Sequence, residues 1–293
     1  MENDCAMKKY LLTISALLLL AACDKKVPEQ LPPLSLDGRT VVEAKIESLL
    51  LGDDNRVWPE GAAIGVCGSV SGTNEKYLLR RSDERLSEAV FYGPKVAGDI
   101  CASYPWDPSY TGAWGRMTVA LDNRQAYDPG KGPKEQFVSY SPRAFGFEQN
   151  GKLAFGYPFG VLSIQVALEE DLQVEGITLR SETLPFAGTG VVTAEGVQFG
   201  TGASHELELV FDQPVSIRDN EGNPVPFYVV MPPFEYPDLE ISFSFTGEQP
   251  FVCSAAGVSV PRIAEGSFSL LSLVITTDGP EGFTPVNVSF DEE

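Results

Sequence analysis

The chain has 293 residues, with 41 acidic side chains against 21 basic ones and a net charge of −20. That balance excludes a nucleic-acid partner, because phosphate binding requires local Lys and Arg. Beyond the first 22 residues the longest basic runs are the pairs Lys25-Lys26 and Arg80-Arg81. A single histidine in the whole chain leaves little material for imidazole proton transfer or zinc ligation.

The N-terminus carries Lys8 and Lys9, then an apolar run from Tyr10 through Leu20, then Leu20-Ala21-Ala22-Cys23. A charged region, a short apolar region and small residues before a cut make a secretory signal. The run is shorter than the about 20 residues needed to span a bilayer. Its end resembles the bacterial lipobox, in which the cysteine, here Cys23, takes a diacylglycerol and becomes the first residue of the mature chain. Several acyl chains give stable anchoring where one is marginal. Met7 is an alternative start to Met1. Residues 1–22 are therefore expected to be a lipoprotein signal peptide, and the charge of the remaining 271 residues stays at −20 once Glu2, Asp4, Lys8 and Lys9 are gone.

Residues 23–39 hold three prolines and little periodicity, which reads as a tether lifting a domain off the membrane. From Thr40 to Leu51, Val42, Ala44 and Ile46 alternate with Glu43, Lys45 and Glu47, as in a half-buried strand. A helix is the alternative there, since Glu, Ala, Lys and Leu are good helix formers. The stretch LGDDNRVWPEG is turn chemistry. Beyond it, short apolar runs recur between Gly, Pro, Asn and Asp, among them AAIGVCGSV, DICASYPW, RMTVAL, QFVSYS, VLSIQVAL, ELELVF and LEISFSF. Leu162, Ile164 and Val166 alternate with Ser163 and Gln165, and Ile241, Phe243 and Phe245 with Ser242 and Ser244. Only 41–51 and 83–90 have helical potential. Many short strands with frequent turns, 22 prolines and 28 glycines imply an all-β sandwich architecture. Two domains are expected, 40–156 and 157–293, divided where GKLAFGYPFG supplies Gly and Pro before a fresh set of strands.

Besides Cys23, the chain past the signal has Cys67, Cys101 and Cys253, an odd number. Cys67 and Cys101 sit in apolar runs. Buried thiols are the favoured reading and a Cys67–Cys101 bridge the alternative. No Cys/His spacing suggests zinc, no Dx[DN]x[DN]G calcium loop occurs, and the GTG triplets at 188–190 and 200–202 lack the Lys-Ser/Thr of a phosphate loop. No metal and no cofactor are expected. His205 would serve a Ser/His/Asp site only if Ser and Asp met it in space, and no GxSxG elbow is present. A surface His at the head of a strand is the simpler reading, and the chain is not expected to be an enzyme. Tyr104, Trp106, Tyr110 and Trp114 are concentrated enough to form a sugar-stacking surface. Aromatic filling of loops at one end of a sandwich is the plainer alternative.

The segment RVWPEGAAIGVCGS, then FYGPKVAGDICASYPW, then FGVLSIQVALEEDLQVEGITLRS, LPFAGTG, FYVVMPP and GSFSLLSLVI occur in the order found in the fimbrillin-like proteins of Bacteroidales. Together with the lipobox they cover most of residues 57–276, and the chain resembles that family. It departs in having Gly160-Val161-Leu162 where the family often carries His.

The resemblance implies two tandem transthyretin-like β-sandwich domains, mainly antiparallel and of Greek-key type. It also implies a non-enzymatic structural or adhesive subunit of a type V pilus, exported as an outer-membrane lipoprotein at the cell surface. Such pilins are cut by an arginine-specific protease and polymerise by strand exchange. Carried onto this chain, the strand removed is the one bearing Val42, Ala44 and Ile46, with the cut after Arg56, or alternatively Arg39. The donor strand is the C-terminal PVNVSFDEE, with Val286, Val288 and Phe290 as apolar knobs on one face. An ordinary last strand of its own sandwich is the alternative reading. The implied partners are other pilin subunits, the membrane through the lipid anchor, and a host protein or glycan. A surface glycan-binding lipoprotein is the rival function.

Overall fold

The computed structural model describes residues 39–46, 58–82, 88–167, 172–246, 251–260, 263, 268–277 and 283–292. Residues 38–293 cluster as one compact unit. No helix among the described residues is long and apolar enough to cross a membrane.

The chain is nearly all β. Its first half supplies β1 (Arg39–Ile46), β2 (Ala63–Gly68), β3 (Glu75–Ser82), β4 (Glu88–Pro94), β5 (Ile100–Tyr104), β8 (Ala144–Gln149) and β9 (Lys152–Gly156). These close into a barrel in the order β1-β4-β3-β2-β5-β8-β9. Closure removes the open edges that a flat sheet would expose. The alternation Val42-Glu43-Ala44-Lys45-Ile46 thus resolves as a strand. Residues 88–90, the end of the second segment with helical potential, are strand as well. The barrel core contains Val42, Ala44, Ile64, Val66, Tyr77, Phe91, Leu153 and Phe155 around Trp58.

The second half forms a sandwich. Its strands are β10 (Gly160–Ala167), β11 (Gln173–Arg180), β14 (Glu206–Ser216), β15 (Phe227–Met231), β16 (Tyr236–Phe245), β17 (Phe251–Val260), β18 (Phe268–Thr277) and β19 (Phe283–Glu292). One sheet runs β15-β10-β18-β19; the other runs β17-β16-β11-β14-β7, where β7 is Arg124–Tyr127. Between them lie Leu162, Ile164 and Val166 of β10 with Ile241, Phe243 and Phe245 of β16, all nearly inaccessible to solvent. The expected period-two faces therefore bury the expected residues. Three strand pairs are parallel, β1 with β9, β10 with β18 and β7 with β14; the others are antiparallel.

The barrel ends at Gly156 and the sandwich begins at Gly160, but residues 117–140 cross that line. β6 (Met117–Leu121) pairs with β12 (Gly188–Thr193), which forms a hairpin with β13 (Gly196–Phe199), and β7 joins the five-stranded sheet. A third core of Cys67, Cys101, Phe145, Met117, Phe137, Phe159, Val161 and Val230 fills the space between these parts. One apolar run is corrected: QFVSYS lies in a helix, α1 (Pro133–Tyr140), not a strand. Pro133 occupies the first turn, where its missing N–H costs nothing, and Glu135 sits at the positive helix end. Phe137 and Gln136 bury the helix, so a local start signal and tertiary burial outweigh strand propensity.

Candidate functional site

β1 closes the barrel. It is antiparallel to β4 from Arg39↔Pro94 to Lys45↔Glu88, and parallel to β9 from Ala44↔Leu153 to Ile46↔Phe155. Alternation turns Val42, Ala44 and Ile46 inward, where they are 6%, 1% and 8% exposed. They join the cluster in which Trp58 meets Phe91 and Phe155 edge-on at 4.9 and 5.2 Å. On the outer face Lys152 of β9 reaches Glu43 of β1 at 3.5 Å and Glu88 of β4 at 3.0 Å. One ammonium group thus ties the closing strand to both neighbours, and the hydrogen bond to Glu88, then the charges of Glu88 and Glu43, hold its pKa up. Arg39 opens the strand with its guanidinium 5.4 Å from the centre of the Tyr92 ring. Arg56 lies outside the described residues. Withdrawing β1 would leave facing, unpaired backbone edges on β4 and β9, and an apolar slot one strand wide.

Val286, Val288 and Phe290 lie on β19, with Val288 opposite Leu273, Phe290 opposite Leu271, and Val286 in an irregularity between Val274 and Ile275. β19 pairs with β18 as the terminal strand of its own sheet. The opposite edge strand, β15, is capped at Val230 by a side chain. Gln125, fully buried, donates from Nε2 to the Val230 carbonyl at 2.7 Å and accepts the Val230 N–H on Oε1 at 3.0 Å. A side-chain amide there imitates a ladder partner, and no period or motif marks Gln125 in the sequence.

The four aromatics do not form one platform. Tyr104 packs edge-on against Trp58 at 5.0 Å and belongs to the barrel core. Trp106 has Lys76 Nζ 4.2 Å from its ring centre, and donates its indole N–H to the Asn74 carbonyl. Tyr110 lies against Phe145, with the Arg143 guanidinium 4.5 Å from its ring centre. Trp114 is exposed. Asn74 organises this loop: its side-chain amide donates to the Asp107 and Tyr110 carbonyls at 2.8 and 2.9 Å. Asn74 takes a left-handed backbone, which Asn tolerates, and the preceding Ser71-Gly72-Thr73 turn is its only sequence signal. Tyr110, Thr118, Tyr140, Ser141, Phe145 and Phe159 help line a cavity of about 140 Å³.

Cys67 and Cys101 are free, buried and directly opposed across β2 and β5. Ser69 N–H donates to the Asp99 carbonyl, which by two-residue alternation makes Cys67/Cys101 a hydrogen-bonded pair, where side chains stand wider apart. The hydrogen bond from Cys101 brings the Cys67 thiol down to about 7 against the effect of burial. The same bond and burial hold Cys101 far above the usual thiol range.

His205 is exposed at the head of β14, with Nδ1 3.0 Å from the Ser181 carbonyl oxygen. Ser181 and Asp238 do meet it around an open cleft of about 480 Å³. The order of contacts is nevertheless wrong for a relay. Ser181 Oγ donates to Asp238 at 2.7 Å, and His205 binds the backbone carbonyl of Ser181, not its hydroxyl. Burial raises the Asp238 pKa, but hydrogen bonds from Ser181, Thr183 and two backbone N–H groups outweigh it, so this carboxylate stays ionised and caps the 181–184 turn. No group of His, Cys, Asp and Glu among the described residues could hold a metal ion.

No protein-family model matches the chain, and no curated protein matches it. Solved structures do. A provisionally named cell adhesion protein from Bacteroides uniformis superposes with a TM-score of 0.50 at 18% identity, covering 88% of this chain and 99% of the other. A second from Bacteroides ovatus gives 0.50 at 12% identity, over 86% and 96%. The fold is theirs. The tip fimbrial protein Mfa3 from Porphyromonas gingivalis aligns more loosely, with a TM-score of 0.39 at 12% identity, over 87% and 99% of the two chains.

Proposed function

We propose that the chain is an adhesive fimbrial subunit of the fimbrillin-like kind, working at the cell surface without enzymatic activity. On this reading it is a lipoprotein acylated on Cys23, its two halves are transthyretin-like domains divided near 156/157, and it polymerises with other pilin subunits by donor-strand exchange. The observation that carries the proposal is the position of β1. An N-terminal strand closes the barrel, begins at Arg39 and is followed in sequence by Arg56, and presents Val42, Ala44 and Ile46 to the core at a spacing of two. Cleavage after Arg56 severs β1 from the rest of the barrel, so its departure opens a slot without breaking another strand. An open edge of this kind is a template for an incoming strand. Val286, Val288 and Phe290 of a neighbour offer apolar side chains at the same spacing. Transfer of this kind runs head to tail and does not close, which builds fibres.

The test is to treat the soluble chain from residue 24 onward with an arginine-specific protease, then determine new N-termini and oligomer size. A cut after Arg56 followed by detergent-resistant ladders is expected, and Val288→Asp should abolish the ladders while leaving the cut. A cut chain that stays monomeric, or ladders that survive Val288→Asp, would remove the donor-strand reading. A second reading, a surface glycan-binding lipoprotein, draws support only from the exposed indole of Trp114 and from Tyr110, which lines the cavity near Ser141.

A further inference from the structure

β1 is held from outside as well as from the core. In the barrel β4 and β9 flank β1 on opposite edges, so they are not ladder partners of each other. Lys152 of β9 nevertheless donates to Glu88 of β4 at 3.0 Å. Their sequence neighbours Leu153 and Ala89 are buried in the barrel core, so alternation turns Lys152 and Glu88 outward. The ion pair therefore crosses over the outer face of β1. On that face Glu43 of β1 itself lies 3.5 Å from the same ammonium group, and Lys45 stands opposite Glu88 in the ladder.

Among the described residues β1 shares seven register positions with β4, from Arg39 to Lys45, but three with β9, from Ala44 to Ile46. The β9 edge is thus the shorter seam, and Lys152 stands at its start, one position before the Ala44↔Leu153 pair. A lone exposed ion pair contributes little, because solvent screens it and two long side chains must be ordered. This pair differs in what it spans. The core side of β1 is filled by the Trp58 cluster, so the strand leaves outward, along a path that runs between Lys152 and Glu88. Because the contact must open before β1 can move, its whole energy enters the barrier to release. We propose that Lys152 and Glu88 form a strap across β1 that slows the departure of the strand once the chain is cut, and that ionic strength sets its grip. The inference rests on the departure of β1 proposed above and concerns its regulation.

The soluble chain from residue 24 onward, carrying a fluorophore at its N-terminus, is cut after Arg56, and release of the labelled fragment is followed by anisotropy against an excess of unlabelled fragment. Lys152→Met and Glu88→Gln should each release it about two- to fivefold faster. The double variant should be no faster than Lys152→Met, because both changes break one contact. Lys152→Arg, which keeps the charge, should keep the slow release. Raising NaCl from about 10 mM to about 1 M shortens the Debye length from about 30 Å to about 3 Å, and should speed release from the unaltered chain while leaving the double variant nearly unchanged. Glu88→Gln lies on a different strand from Lys152, so it reads the contact independently if Lys152→Met disturbs the β8–β9 hairpin. Single effects that multiply in the double variant, or an equal salt response with and without the pair, overturn the proposal. A fragment released at one rate from every chain refutes the strap alone. A fragment that stays bound in every cut chain refutes the departure of β1, and the strap with it.

Discussion

Replacing Val42 and Ile46 by alanine should loosen the closing strand selectively. Both are almost fully buried in β1, and both pack into the Trp58 cluster. Truncating a buried Ile to Ala costs about 2–5 kcal/mol through lost transfer free energy and the cavity left behind. Ile46 is the last described residue of the strand and keeps 8% exposure, which favours the lower end of that range. Val42 loses two methyl groups, at about 0.8 kcal/mol per buried carbon plus a cavity contribution, so about 2 kcal/mol is expected. Together they cost about 4 kcal/mol, most of the margin of a marginally stable domain. At about 2–4 °C per kcal/mol the midpoint should drop by about 8–16 °C. Val41, on the outer face and 38% exposed, is the control, and Val41→Thr should shift stability by less than about 0.5 kcal/mol. Urea unfolding of the intact chain reads the stability. In the chain cut after Arg56, release of a fluorescent β1 fragment reads the function, and the double variant should release it faster and polymerise sooner. Equal losses from the inner- and outer-face variants, or unchanged release from the cut double variant, would refute the idea that these two side chains hold the barrel shut.

Gln125→Leu should cost about 2–4 kcal/mol in urea unfolding, because it leaves the buried N–H and C=O of Val230 both unpaired, and a Gln125→Glu variant should not restore the N–H donor. Gly93→Ala should cost about 1–3 kcal/mol, because a Cβ there would fall 2.3 Å from the ring of Tyr77, which is fully buried and held by its hydroxyl on the Pro94 carbonyl; the midpoint of thermal unfolding reads it. Thiolate absorbance should show Cys67 titrating below the ordinary thiol range in the folded chain, and Cys101→Ala, which removes the hydrogen bond that lowers it most, should move its titration upward. Its lowered pKa contributes stability that is present above the ordinary thiol pKa and lost as pH falls through about 7. The raised pKa of Cys101 contributes stability present below the ordinary thiol pKa and lost as pH rises beyond it. Relative to a Cys67→Ala/Cys101→Ala variant, stability should therefore rise between pH 7 and 9 and then fall; two parallel curves would contradict this.

Period-two alternation is local, and it was legible wherever one strand face is buried. Val42, Ala44 and Ile46, Leu162, Ile164 and Val166, and Ile241, Phe243 and Phe245 all lie on the inner faces that their spacing implies. The run at 136–141 misled for the converse reason: Phe, Val and Tyr favour a strand, and the Pro133 start and the packing of Phe137 override that preference. The aromatic residues at 104–114 were identifiable as a concentration. Their division into a core ring, a lysine-covered indole, a cavity wall and an exposed indole depends on Asn74 and Arg143, which come from distant segments. Ser141 and Gln125 carry no sequence signal at all, since a buried polar group is recognised only by what surrounds it.

By itself, the sequence determined the all-β class and the inner faces of β1, β10 and β16, because side-chain alternation and turn residues act over a few positions. Tertiary structure alone decided that the first strand closes a barrel between β4 and β9, that β7 and β6 cross into the second half, and that the C-terminal strand pairs with β18. Those facts depend on which backbone edges meet across more than a hundred residues, and alternation, identical for every such pairing, is blind to the choice.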